Sequence, residues 1–404
     1  MRGLAASRAC VIPAVVVTVA SAAALIYAAN PPTPAVTNDF YLESWPAYAA
    51  LLHGHPVAFL QLGPAYVGSL VLRAPVAVIP GLLGGGWRAV YFASAVPCAL
   101  GAAAFCTWLV GRPGRHPRSA WGGRAISAVL CISNPLVVIA LLKGHPEDVL
   151  GGALCAAAVI LAIDARAGWA ILVTVLAVVN KPWGLLAVPV VLVALPRGRW
   201  LAAVMIAGAA GAILIPVMAL HDSGFSPAAA GASIGTIFHA PQLLWWFGPY
   251  SWVARLARAE IVAIGLASVA LWSVRRSRGA HRGSTEAEPL LLLALVMLLR
   301  AALDPWNTLY YQVPFLFALM AYERRLGKRP VLTGIYTVTL LIVVPVRNIP
   351  PTSPDLRAAL FTATALVTIG WLTALLYLPA TALKRPIPGV ARLRRSSRDQ
   401  VTPA

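Results

Sequence analysis

Apolar runs long enough to cross a bilayer, about 17–25 residues each, recur along this chain, and most end in a Gly- or Pro-containing break that carries ionisable side chains. Inside hydrocarbon every backbone amide must find its partner within the protein, so runs of this length fold as helices. With 59% hydrophobic and 11% charged residues and a mean hydropathy of +0.78, the chain is not an ordinary soluble domain, which carries about 25% charge. The expected fold is all-α: a polytopic transmembrane helix bundle of about twelve spans, with a re-entrant or interfacial helical segment in its first outer loop.

The spans are expected over 11–29, 88–110, 125–142, 147–163, 168–180, 182–195, 200–220, 252–274, 289–303, 309–322, 331–346 and 356–378. Arg2 and Arg8 ahead of the first run would suit a signal peptide. The run exceeds a usual signal-peptide hydrophobic region, however, and Tyr27-Ala28-Ala29 is a poor cleavage site, so it reads as an uncleaved helix with its N-terminus inside. The stretch 63–86 decides the topology. As a full span it would put Arg112, Arg115, Arg118 and Arg124 outside, against the preference of basic loops for the cytoplasmic face. As a re-entrant segment, which Pro64, Arg73, Pro75 and Pro80 permit, it restores the register.

On that reading 23 of the 32 Lys and Arg fall inside, while Asp39, Glu43, Glu147, Asp148, Asp222, Asp304 and Asp355, seven of the thirteen acids, fall outside. Both termini are then cytoplasmic in a multi-pass plasma-membrane protein. Residues 1–383 form the transmembrane domain, and 384–404 a basic tail expected to be disordered. The net charge of +19 belongs to loops facing anionic lipid, and nucleic acid is not an expected partner. Cys10, Cys98, Cys106, Cys131 and Cys155 lie in apolar segments and read as small core residues, not as a disulfide framework or a metal site.

Four breaks on the outer side carry chemistry. In Asn38-Asp39-Phe40-Tyr41-Leu42-Glu43 two carboxylates stand one helical turn apart. They can supply a sugar site with a general base, or simply face water beside interfacial aromatics. Lys143-Gly144-His145-Pro146-Glu147-Asp148 needs only its Gly and Pro to turn. The added cation and imidazole suit a phosphate and the two acids a hydroxyl, and a plain turn also accounts for the spacing. Asn180-Lys181-Pro182-Trp183 interrupts the apolar run 169–195. Its ammonium must meet an anion or water there, either a ligand phosphate or, by snorkelling, a lipid headgroup.

The fourth break, Asp304-Pro305-Trp306-Asn307 followed by Tyr310-Tyr311-Gln312, offers an aromatic face and an amide of the kind that hold a pyranose. Such residues also populate interfacial belts, which is the preferred reading of Trp245-Trp246-Phe247-Gly248-Pro249-Tyr250-Ser251-Trp252. His221, Asp222 and His239 lie between the seventh and eighth spans and are either functional or solvated. No spacing matches a zinc site or a phosphate-binding Gly-rich loop.

In the order of these motifs the chain resembles the GT-C superfamily of membrane glycosyltransferases, and looks most like actinobacterial members related to the polyprenyl-phosphomannose-dependent mannosyltransferases. The likeness is carried by Asn38-Asp39-Phe40-Tyr41, the stretch from Gly63-Pro64-Ala65-Tyr66 to Arg73, Asn134-Pro135 leading to Gly144-His145-Pro146-Glu147, Asn180-Lys181-Pro182, and Asp304-Pro305-Trp306-Asn307 before Tyr310-Tyr311. It spans residues 10–325 in outline. The resemblance implies transfer of a sugar, mannose or a related unit, from a polyprenyl-phosphate donor to an acceptor hydroxyl of a glycolipid or glycan at the outer face.

A phosphate leaving group needs no proton, so one general base and a set of cations suffice. Asp39 is the expected base. Lys181, Lys143, His145 and Arg73 are expected at the donor phosphate, with Glu43, Glu147, Asp148, Asp304, Trp306, Asn307 and Tyr310 as further substrate-binding residues. Many relatives carry two adjacent acids in the first loop; here Asn38 precedes Asp39, which makes Glu43 the second carboxylate. No ligand motif supports a divalent metal, and no cofactor is expected. A secondary transporter or lipid flippase, and a non-catalytic scaffold, are the other classes that broken, charged helices serve. Against transport, the charges gather at one membrane face and not at the midplane.

Overall fold

The computed structural model describes residues 38–111, 134–220, 243, 246, 251–278, 286–304, 308–343 and 354–378, and every regular element among them is helical. The expected first span, Cys10, Cys131, the loop 112–124, His221, Asp222, His239, Trp306, Asn307 and the tail 384–404 lie outside these residues. A π-helical turn, Phe40–Ser44, leads from Asp39 into α1 (Trp45–Leu52), followed by α2 (Pro56–Gln61), α3 (Val67–Leu82) and α4 (Trp87–Gly111). Next come α5 (Pro135–Lys143), α6 (Pro146–Ile163), α7 (Ala167–Asn180), a 3-10 turn (Pro182–Leu186), α8 (Ala187–Ala194) and α9 (Arg199–Leu220). The remainder comprises α10 (Ser251–Ser277), α11 (Glu288–Leu303), a 3-10 turn (Leu309–Gln312), α12 (Val313–Arg325), α13 (Val331–Val343) and α14 (Pro354–Tyr377).

Prolines set where many of these elements begin. Pro135, Pro146, Pro182, Pro289 and Pro314 stand in the first or second position, where the missing N–H has no intrahelical acceptor to lose and the fixed φ favours entry. Asn134 caps α5, accepting from the Leu136 amide at 2.9 Å. Gly144 ends α5 with a φ of +95. A Cβ there would stand 2.5 Å from the Phe40 nitrogen and 2.7 Å from Asn38 Oδ1, so glycine alone permits both the left-handed turn and the approach of the Asp39 segment.

Every residue of α11 from Glu288 to Leu298 is buried, and most of α6 is as well. Helices covered on all sides belong at the centre of a bundle, and these two carry α12, α10 and α14 on one side and α4, α7 and α12 on the other. Four helices are long and apolar enough to cross a membrane, over Trp87–Leu109, Pro146–Ile163, Arg199–Leu220 and Ala358–Tyr377, where spans 88–110, 147–163, 200–220 and 356–378 are expected. Other expected spans are shorter helices here: 168–180 matches α7 and 331–346 matches α13, while 182–195 and 309–322 each divide into a 3-10 turn and a helix. The outward faces of α9 and α14 present Trp200, Val204, Ile215 and Val367, the kind of surface that lipid covers.

Contacts orient the bundle. Glu147 opens α6 and Asp164 follows its far end, where Arg325 of α12 meets Asp164 at 3.0 Å and Glu286 at 3.4 Å. At the other end Tyr310, just before α12, stacks on His145 just before α6, so α6 and α12 run parallel. Helix α3 stays beside the Asp39 segment at both its ends. Tyr66 donates to Glu43 and Tyr48 to the Leu70 carbonyl at the start, while Gly81 approaches Leu52 and Trp87 packs on Tyr41 at the finish.

One expectation needs correcting: Cys106 is disulfide-bonded, whereas Cys98 and Cys155 are free, so the cysteines are not uniformly unpaired core residues. An apolar setting in the sequence does not distinguish the two states.

Gly68 sets the contact between α3 and α7, since a Cβ there would fall 2.3 Å from the Val179 carbonyl oxygen. Gly68→Ala should therefore destabilise the purified protein by about 1–3 kcal/mol in thermal unfolding. Gly208→Ala, on the exposed face of α9 where a Cβ meets nothing within 4 Å, should cause no loss. Equal midpoints for the two variants would contradict the close approach.

Candidate functional site

Three helix breaks converge at one end of the bundle. The first turn of α6 brings Glu147 and Asp148, neither with any exposed surface, and the break after α7 brings Asn180 and Lys181. Helix α3 adds Arg73, 3% exposed, and the residue before it, Tyr66, lies against the same group. Charges this deep are tolerated only when each has a partner.

Glu147 is the hub. Its Oε1 accepts from Lys181 Nζ at 3.0 Å and from His145 Nδ1 at 2.8 Å, and its Oε2 faces Arg73 Nη2 at 3.4 Å, an ion-pair distance rather than a short hydrogen bond. Asp148 holds the ammonium from the other side at 2.6 Å and accepts from Trp183 Nε1 at 3.1 Å. Lys181 Nζ also lies 4.6 Å from the centre of the Tyr66 ring. Burial opposes its charge, but Asp148 and Glu147 outweigh burial and raise its pKa above the usual lysine value. Asn180 ties the breaks together, donating to the Glu147 carbonyl at 2.8 Å and accepting from Ser69 Oγ at 2.9 Å.

His145 connects this buried layer to the rim. Its Nε2 meets Asp39 Oδ2 at 3.0 Å, and its ring stacks on Tyr310 at 4.9 Å between centres. Burial works against a charged imidazole, yet hydrogen bonds to Asp39 and Glu147 outweigh it and push the pKa up to about 9. At neutral pH both ring nitrogens are therefore donors. Asp39 is 36% exposed in its side chain, and its Oδ1 makes no hydrogen bond among the described residues. Glu43 accepts from Tyr66. Burial, reinforced by the Glu43 charge, holds the Tyr66 phenol well above its ordinary pKa, so it is a donor and not a base.

Arg300 lies alongside, 5% exposed, over Tyr311 at 4.1 Å and Trp183 at 5.5 Å, with Asp304 at 3.5 Å. The structure thus gathers Asp39, Glu43, Arg73, His145, Glu147, Asp148, Lys181 and Tyr310, and Asp304 joins through Arg300. Lys143 is half-buried, and its side chain makes no ion pair or hydrogen bond among the described residues. Trp306 and Asn307 lie outside them.

The premise that Lys181 lacks an anion within the protein is overturned: two carboxylates from α6 hold it. Sequence reasoning missed Arg300. The available signal was an arginine inside the apolar run 289–303, four residues before Asp304. It also missed Ser69, whose small polar side chain gives no local sign of its role.

Donor atoms of His145, Glu147 and Asp148 lie within 4.8 Å of one another, as in a metal-binding triad. They do not fit one. Lys181 Nζ already occupies the space between the two carboxylates, and both ring nitrogens of His145 are bound to carboxylates. Compared with protein families, curated proteins and solved structures, the chain matches none.

The raised pKa of His145 links stability to pH. A group that titrates near 6.5 when unfolded and near 9 when folded stabilises fully below about pH 6.5, and loses that contribution as pH rises through about 9. The thermal midpoint should fall between about pH 7 and 10, and His145→Asn should flatten the slope. An unchanged slope in the variant would show that another group is responsible.

Proposed function

We propose that this protein transfers a sugar, mannose or a related unit, from a polyprenyl-phosphate donor to an acceptor hydroxyl at the outer face of the plasma membrane. The observation that carries the reading is Asp39: a carboxylate 36% exposed in its side chain, with Oδ2 held by the buried His145 imidazolium and Oδ1 without a hydrogen bond among the described residues, beside a cation-rich helix junction. In this scheme Asp39 Oδ1 removes the proton from the acceptor hydroxyl. The hydroxyl oxygen then forms the new bond to the sugar's anomeric carbon, and the bond from that carbon to the phosphate oxygen breaks with its electron pair leaving on the phosphate.

Lys181 and His145 are committed to carboxylates, so the donor phosphate falls to Lys143 and Arg300, whose described contacts leave donors uncommitted. Arg73 supports from beneath by neutralising Glu147. Tyr310 and Tyr311, with Trp306 and Asn307, are assigned to the sugar face. Supporting the topology, α3 keeps to the Asp39 side at both ends, as a re-entrant segment does, and the acid-paired Arg325 lies at the opposite end, assigned to the cytoplasm. The remaining spans of the twelve, the cytoplasmic termini and the glycolipid or glycan acceptor belong to the same proposal.

The test is consumption of radiolabelled polyprenyl-phosphomannose by the purified protein. Asp39→Asn keeps the shape and hydrogen bonding but cannot take a proton, and should lower turnover by about 10²–10⁴-fold with donor binding intact. Glu43→Gln should cost less. Turnover of Asp39→Asn at the native rate would remove Asp39 as the base, and no consumption by the native protein of this or other polyprenyl-phosphosugars would remove the reading.

A further inference from the structure

A groove of about 320 Å³ runs between α4, α6 and α7, away from the ion cluster and toward the opposite end of the bundle. Leu150, Ala153, Leu154, Ala157 and Leu161 line it along one face of α6, with Ala104 on α4 opposite. From Leu150 to Leu161 the helix rises about 16 Å, at 1.5 Å per residue. That is about half of a roughly 30 Å hydrocarbon core, so the groove has the length of one leaflet.

The groove ends at Arg166 and Trp169, and a second depression lined by Arg166, Ala167, Gly168, Trp169 and Leu172 adjoins it there. Arg166 is exposed, and its side chain has no ion pair or hydrogen bond among the described residues. The nearest acid along the chain, Asp164, is held by Arg325. Trp169 is 62% exposed, an indole placed as in an interfacial belt. An apolar slot one leaflet deep with an unpaired cation at its mouth matches a molecule with an acyl chain and a phosphate.

We propose that this groove holds one anionic glycerophospholipid, its chain along α6 and its phosphate on Arg166. The chain supplies the contacts that an empty slot would forfeit, and the guanidinium selects a headgroup with net negative charge. This inference rests on membrane placement and not on the transferase reading, because the groove shares no residue with the ion cluster.

The full-length protein, purified from mixed micelles holding equal phosphatidylglycerol and phosphatidylcholine, should retain one phosphatidylglycerol in native mass spectrometry after delipidation. Ala104→Phe, which fills the slot from its exposed side, should abolish retention. Arg166→Gln should reduce the preference for phosphatidylglycerol over phosphatidylcholine by about fivefold. Ala157→Phe is the substitute if Ala104→Phe does not fold. Undiminished retention in the filled variant, or equal retention of the two lipids by the native protein, would overturn the proposal.

Discussion

Glu147 has no exposed surface and faces three cations, each delivered by a different part of the chain: Arg73 from α3, His145 from the turn before α6, and Lys181 from the break after α7. A carboxylate in that position costs several kcal/mol of desolvation unless it is compensated. The compensation requires α3, α6 and α7 to meet at one point, so the charge balance and the packing of this end are one requirement. Asn180 and Ser69 then lock the same three elements with neutral hydrogen bonds.

The cluster has two layers with different chemical capacities. Glu147, Asp148, Lys181 and Arg73 are buried and paired by charge: Lys181 donates to both carboxylates, and Arg73 faces Glu147 at 3.4 Å. Asp39 and Glu43 are half-buried and, among the described residues, are tied to the buried layer by His145 and Tyr66. The far end is satisfied separately. Arg325 bridges Asp164 and Glu286, and Glu323 caps α13 by accepting from the Leu332 amide at 2.8 Å and from Thr333. Between the ends the core is almost wholly apolar, as expected for helices that cross hydrocarbon.

Much of this layout was readable from the chain, for local reasons. Gly144 and the prolines at 135, 146 and 182 mark helix ends by their own backbone limits, and charged residues beside them stand out in apolar surroundings. Four helices long and apolar enough to cross a membrane lie where hydropathy places spans, because length and apolarity are properties of a single segment. The partners of Lys181 were not readable. Its bond to Asp148 joins residues 33 apart, and that of Ser69 to Asn180 joins residues 111 apart, so neither follows from local spacing. Arg300 was overlooked because its role depends on Trp183 and Tyr311, which come from other elements.

The dependence of this end on the Glu147 charge can be measured with a double-mutant cycle between Glu147→Gln and Lys181→Met, read by chemical or thermal unfolding of the purified protein. Each single change leaves the buried cluster with one uncompensated charge and should destabilise by about 3–5 kcal/mol. The double variant removes one charge of each sign and should lose clearly less than the sum, giving a coupling of at least about 1 kcal/mol. Additive losses would show that the two residues do not support one another and would contradict the account of the cluster as a single charge-balanced unit.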